Sequence, residues 1–468
     1  MRRAIVLILS AAVLSAEAAT LIPKSVVKPE KVARAPAATG TVAKDTPAVQ
    51  GAVDAAFRAG GGRVVVPAGT YRIGTIWLKS NVELHLEEGA TLLASDRLSD
   101  YNAADAYPQN WGCRNEGWRE QHLVIAHEAT NVALTGKGVI DGNGRAFFEP
   151  YRPNGPKGDF TWRRGYCNAK SGRKAAVRPG QELVFVECRG VRVEGVTIRD
   201  SACWTCFFHG CEDVTVRGVT IRNPMWNANT DGFDIDSCRH VRVSDCDVET
   251  GDDVFALRGS PAHLKNAAAV LDDVIISNCV GACAASGVRV GLGNGRIGNV
   301  LVKNVRFREA GHGLLVQTCY PEAPAHAGVT IDGVVFEDIQ IDDSAHPILV
   351  TAGTKDAEKA LANVVFRNIR AKAVGSIVVE GAGRTRPRDI RFESVDLTLV
   401  PRTRPRAETR DWEVVGQSNT NGAAVCVEQA DGVVFRAMRI RRDAGYMGPY
   451  DMKGRDVDYS VLDASVDR

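Results

Sequence analysis

The sequence predicts an all-β fold, a single-stranded right-handed parallel β-helix with an N-terminal capping helix, on three observations. Short β-branched patterns recur along the chain: VRVEGVTIRD at Val191, VTVRGVTIRN at Val214, VRVSDCDVET at Val241, VIISNCV at Val274, VLVKNVRFRE at Val300 and VTIDGVVFED at Val329. Further copies begin at Val364, Ile390 and Val433. Each alternates apolar with polar residues and runs into Gly, Asn or Asp, the pattern of a half-buried strand closed by a turn. Their starts lie about 23 to 35 residues apart, with one longer gap near the end. A unit of that size cannot bury its own apolar face, whereas stacked units bury a continuous core. A leucine-rich horseshoe would need regular Leu spacing, a propeller four strands per roughly 40 residues, and a sandwich hairpin spacing.

Taken in order, the chain opens with Arg2 and Arg3 before an apolar run from Ala4 to Leu14, followed by Ala16-Glu17-Ala18. This is the plan of a secretory signal with an A-x-A-like cleavage site, so residues 1–19 are expected to direct export and the mature protein to be secreted or periplasmic. The run is far shorter than the roughly 20 residues of a membrane span. Residues 20–45, rich in Ala, Pro, Lys and Val, read as a leader or linker. Ala48 to Ala59 has helical spacing before Gly60-Gly61-Gly62 and is the expected cap. The β-helix is expected over 46–468, with Gly422 to Arg442 as its last coil and Pro401 to Gln417 as a polar loop.

Composition narrows the partners. Among 468 residues, 58 Lys and Arg against 56 Asp and Glu leave a formal charge of +2, too balanced for a nucleic-acid or polybasic membrane surface. The twelve Cys all follow the signal; most read as small buried core residues, and some disulfides are expected, without a pairing that the spacing reveals. Cys203 and Cys206 form one C-x-x-C with no second pair at zinc-site spacing, and no metal or cofactor is expected.

Carboxylates are densest in Asn229-Thr230-Asp231-Gly232-Phe233-Asp234 and in Gly251-Asp252-Asp253. Asp231 and Asp253 are 22 residues apart. One coil of that length would set them on neighbouring strands, roughly 4.8 Å apart. Like charges that close raise the pKa of at least one, giving a neutral acid beside an ionised base, the two roles of glycoside hydrolysis. In an ideal strand Asp231 and Asp253 would share a face with core phenylalanines, so both must sit at bends, which Gly232 and Gly251 could supply.

These two segments resemble the N-T-D-G-x-D and G-D-D motifs of the polygalacturonase family of glycoside hydrolases, family 28. Trp77 to Ser95, Gly138 to Gly144 and Arg178 to Trp204 read like the same family, and the resemblance covers roughly residues 45 to 400. It implies inverting hydrolysis of pectic polysaccharide, with Asp252 as general acid and Asp231 and Asp253 as the pair that activates water. The expected partner is a polysaccharide or oligosaccharide, bound by a monomer, without nucleic acid or membrane.

Three auxiliary positions depart from the family. Ser286 stands where its G-H-G histidine should be, and Leu315 and Gln317 stand for the Arg and Lys of R-x-K. His312, between Gly311 and Gly313, could substitute one coil on, while Arg258 and Arg289 could hold an anionic sugar or neutralise the aspartates. Asn229, Arg258, Arg289, His312 and Gln317 are therefore the expected substrate-binding residues. The competing functions are a polysaccharide lyase on the same fold and a noncatalytic glycan-binding β-helix.

Overall fold

The structure is a computed structural model that describes residues 31–112, 118–147, 178–225, 227–319, 328–352, 359–401, 423–448, 451–461 and 464–466. The expected export segment 1–19, nearly all of the Pro401 to Gln417 loop, Cys113 and Cys167 lie outside them.

Three parallel ladders climb the chain, and each turn of the coil adds a strand to each. One runs through Val124–His127, Leu183–Val186, Cys206–His209, Phe233–Asp236 and Phe255–Gly259. A second runs through Thr130–Gly136, Arg189–Glu194, Glu212–Arg217 and Arg239–Ser244. The third joins Val139–Asp141, Thr197–Arg199, Thr220–Arg222 and Asp247–Thr250. From Asp272 onward the bends narrow and strands merge, as in Arg296–Gln317 paired along its length with Thr330–Thr351. The result is a parallel β-helix, as the repeat spacing predicts.

Alternation within each strand decides what meets inside. Val191, Val214, Val241, Val274 and Val300 lie in register on successive coils and stack in the core. The rings of Phe336, Phe366, Phe392 and Phe435 stack face to face, with centroids 5.2, 5.0 and 4.8 Å apart. Each such side chain contributes about 1.5 to 3 kcal/mol by leaving water, which no single coil could supply. The turns use Asn131, Asn299 and Asn363 in the left-handed region at φ 53, 50 and 55°, which a short polar side chain tolerates.

Coil length is uneven. The in-register series Val184, Phe207, Asp234, Ala256, Arg289, Leu315, Leu349 gives successive turns of 23, 27, 22, 33, 26 and 34 residues.

The fold begins before its expected start, and the expected last coil is followed by further strands. Val32–Arg34, inside the expected leader, pairs in parallel with Gly62–Val66 and covers the open edge of that strand. The cap helix runs Val42–Arg58, starting six residues before the expected Ala48 and keeping Pro47 inside it. Asp45 anchors it by accepting backbone N–H bonds from Thr39, Gly40 and Arg72 at 2.7, 2.9 and 3.0 Å. At the other end Met452–Val461 and Ala464–Val466 pair with Val425–Arg442, so that strand is not the last.

The cysteines are buried, as most were expected to be, but the expected disulfides are not formed among the described residues. Ten are free and buried among the described residues. Cys188, Cys211 and Cys238 sit at one corner of three consecutive coils, and each thiol donates to a carbonyl of the coil below: Ala126, Phe185 and Phe208, at 3.2, 3.2 and 3.3 Å. The thiols thus satisfy strand carbonyls of the neighbouring coil.

Candidate active site

Phe233–Asp236 and Phe255–Gly259 pair in register, with Phe233 against Phe255 and Ile235 against Leu257. Their core side chains set the frame, and the loops just before them carry Asp231, Asp252 and Asp253. The two loops are bonded to each other: Gly232 N donates to Asp253 O at 2.8 Å, and Gly251 N to the Thr230 hydroxyl at 3.0 Å. A Cβ at Gly232 would lie 2.6 Å from Val254 O, and one at Gly251 only 1.9 Å from Asn227 O. Neither glycine has a positive φ. The structure therefore needs them for close backbone approach, not for the bends expected from the sequence. Asn229 is the residue in the left-handed region, at φ 57°.

Carboxylate oxygens of Asp231, Asp252 and Asp253 all lie within 4.8 Å of one another. That spacing could suit a cation, and a guanidinium already supplies positive charge there. Arg289 Nε pairs with Asp253 Oδ2, and its Nη2 lies 3.6 Å from Asp231 Oδ2. The other oxygen of Asp253 accepts from Ser286 N at 2.8 Å. Asp252 Oδ2 accepts from Asn229 N at 2.9 Å and Asn229 Nδ2 at 3.3 Å. Asp252 is the most exposed of the three, 7% against 2% for Asp231 and 3% for Asp253. Burial, then the charges of Asp252, Asp234 and Asp253, push the Asp231 carboxyl well above the usual range, with Arg289 opposing.

The remaining expected residues divide. Arg289 joins the carboxylates. Arg258 lies in register with Asp236, its Nε 3.5 Å from Asp236 Oδ2, and stacks on Trp204 at 4.7 Å. Aligning FDID over FALR by their apolar positions would have shown this pair. His312 is in register with Ser286, two coils beyond Asp253, and its ring lies 6.2 Å from that of His346 on the next coil. Gln317 lies further along the same strand, buried, in register with Gly291 and Thr351.

Sequence reasoning missed Arg178. Its Nη1 donates to Ala202 O at 2.6 Å and Ala228 O at 3.1 Å, and its Nη2 to Asn229 Oδ1 at 3.2 Å. The guanidinium also covers Trp118 at 5.5 Å. Nothing local marks it, because its partners lie 24 to 51 residues away.

The outward row of the sheet changes character at the carboxylates. On the N-terminal side Ile125, Val184 and Phe207 are buried with Tyr107 and Trp204 in one aromatic and aliphatic cluster. On the C-terminal side Leu315, Leu349 and Val378 follow Arg289 in register and form a second apolar cluster.

The model of the glycosyl hydrolases family 28 matches residues 61–409. A probable polygalacturonase of Vitis vinifera is 28% identical over 201 residues, 42% of this chain, and the match spans only 37% of that relative's length. An endo-polygalacturonase of Pectobacterium parmentieri is 22% identical over 330 residues, covering 69% of this chain and 77% of its own. The solved family 28 exopolygalacturonase of Yersinia enterocolitica superposes with a TM-score of 0.62 at 18% identity, covering 93% of this chain and 78% of that one, a likeness of fold. With the family match extending over most of a β-helix that brings the two aspartate motifs together, the chain belongs to family 28 of the glycosyl hydrolases.

Proposed function

We propose that this protein is an exported glycosidase that hydrolyses pectin-like polysaccharide with inversion, acting as a monomer. The observation that carries the reading is the cluster of Asp231, Asp252 and Asp253, with Asp252 the most exposed and the other two bridged by Arg289. Asp252 donates a proton to the leaving glycosidic oxygen. Asp231 and Asp253 hold the water that attacks the sugar carbon and take its proton. In the free site the proton is shared within the cluster, where Asp252 is the charged neighbour that most raises Asp231.

Inverting enzymes usually separate their two carboxyls by about 6.5 to 9.5 Å, and the spacing here is shorter. The reading follows the family resemblance: the water lies beside the Asp231 and Asp253 pair instead of between two opposed groups. The anomer released, followed by NMR at early times, tests this; a product of retained configuration would overturn it.

The sugar next to the cleavage point on the C-terminal side is neutral, as in a branched or rhamnose-containing pectin. Leu315, beside Arg289 in the outward row, offers no charge, and Gln317 offers only an amide. A lyase would need a base near its substrate, but Arg289 is engaged by two aspartates and Arg258 by Asp236. Export fits the N-terminal signal pattern, and no helix among the described residues is long and apolar enough to cross a membrane. Product analysis on a panel of pectic substrates tests the whole reading: reducing ends without ultraviolet-absorbing products are expected, absorbing products would mean a lyase, and no products a binding protein.

A further inference from the structure

We propose that Arg289 is a positioning residue: its guanidinium ties Asp253 to Asp231 and fixes the separation and aim of the two carboxylates, instead of gripping the substrate. This rests on the reading of Asp231 and Asp253 as the water-activating pair.

The geometry comes from three successive coils. Arg289 is in register with Ala256, and Ala256 with Asp234, so Arg289 stands two strands from the coil of Asp231. Its side chain reaches back along the sheet to both acids, which precede those strands. Arg289, Asp231 and Asp253 are all at least 95% buried. A planar fork with donors on two edges can hold two carboxylates at once, which an ammonium on a flexible stem does less well. Ser286 N fixes the second oxygen of Asp253, so that carboxylate is held at both ends. The strand frame itself is rigid, because the neighbouring side chains Val288 and Val290 are core residues. Two of the three guanidinium nitrogens are thus turned to the buried acids.

The charged groups around Asp231 are Asp252, Asp234, Asp253 and Arg289, and Cys283 lies close to Asp252 and Asp253 with a thiol kept neutral by burial and by those charges. Removing the guanidinium takes away the positive member of this set. The ionised pair then becomes harder to form, and the acidic limb of the pH–rate profile moves to higher pH.

The test is steady-state kinetics of Arg289→Gln and Arg289→Lys on one uronate-rich and one neutral substrate, with melting temperatures recorded. Arg289→Gln should lower kcat about a hundredfold on both substrates, the scale of misplacing a catalytic group by about 1 Å, with KM nearly unchanged. Arg289→Lys, which keeps the charge but not the fork, should fold and recover part of the rate, with the acidic limb back near its original place. A loss confined to KM on the uronate substrate would overturn the proposal in favour of substrate binding. A kcat and pH profile unchanged in both variants would also overturn it. Asp231→Asn and Asp253→Asn run beside them separate the two levels: if these retain full activity, the reading of the pair itself fails.

Discussion

Asn229 donates both its backbone N–H and its side-chain amide to the same oxygen of Asp252, Oδ2, at 2.9 and 3.3 Å. Two donors from one residue on one oxygen fix the aim of the Asp252 carboxyl.

Asp252→Asn should lower kcat by roughly 10² to 10⁴, the usual contribution of a general acid. Folding should be nearly unaffected, because the amide keeps an oxygen for Asn229. Substrates whose leaving group needs little protonation should lose much less. An equal loss on both kinds would remove Asp252 from the acid role.

Arg178 acts on the same acid at one remove, through Asn229 Oδ1. Arg178→Lys should lower kcat about tenfold, because a point charge cannot serve the carbonyls of Ala202 and Ala228 and the Asn229 amide together. Asn229→Ala should also lower kcat, and the double variant should lose little more than the larger single loss. Fully additive effects on log kcat would show that the two residues act independently.

The buried Asp231 gives a signed stability prediction. Its carboxyl titrates above the ordinary range in the fold, by burial first and then by the neighbouring acids, so the folded state holds this proton more tightly than the unfolded chain does. The stabilisation is complete below the unfolded value and is lost as pH rises through the folded one. Asp231→Asn should therefore raise the melting temperature at neutral pH, and the gain should vanish below the ordinary aspartate range, while activity falls. Denaturation of both proteins across pH decides it. A variant less stable at neutral pH would mean that the ion pair with Arg289 outweighs the burial.

Substrate choice follows from Leu315. A charge-assisted hydrogen bond to a uronate carboxylate contributes about 1.5 to 3 kcal/mol, and Leu315 cannot make one. In kcat/KM, a rhamnogalacturonan should exceed plain polygalacturonate by about tenfold to a hundredfold. A kcat/KM on plain polygalacturonate equal to or above that on the rhamnogalacturonan would contradict this.

What was legible in the sequence was whatever repeats locally. The alternation from Val191 onward and the motifs around Asp231 and Asp253 each fit within one coil, so they announced the β-helix and its acids. His346 beside His312 and Arg178 beside Asn229 were hidden, because coil lengths that swing between 22 and 34 residues defeat a fixed period. The edge strand Val32–Arg34 was missed because three residues show no alternation to read. Glycines 232 and 251 were correctly singled out for a reason the structure changes, since crowding by another coil leaves no trace in the local sequence.

The turn of the coil between Asp234 and Ala256 is the shortest in that part of the stack, and the next one toward the C-terminus is half as long again. Asp231, Asp252 and Asp253 lie in the loops just before the two strands of that shortest turn. The in-register strands that hold those loops tolerate no insertion, whereas the longer connections of the neighbouring turns tolerate many. Lengthening or trimming a neighbouring connection would reshape which polymer enters while leaving the acids untouched. Such a scaffold can diversify its diet without redesigning its chemistry.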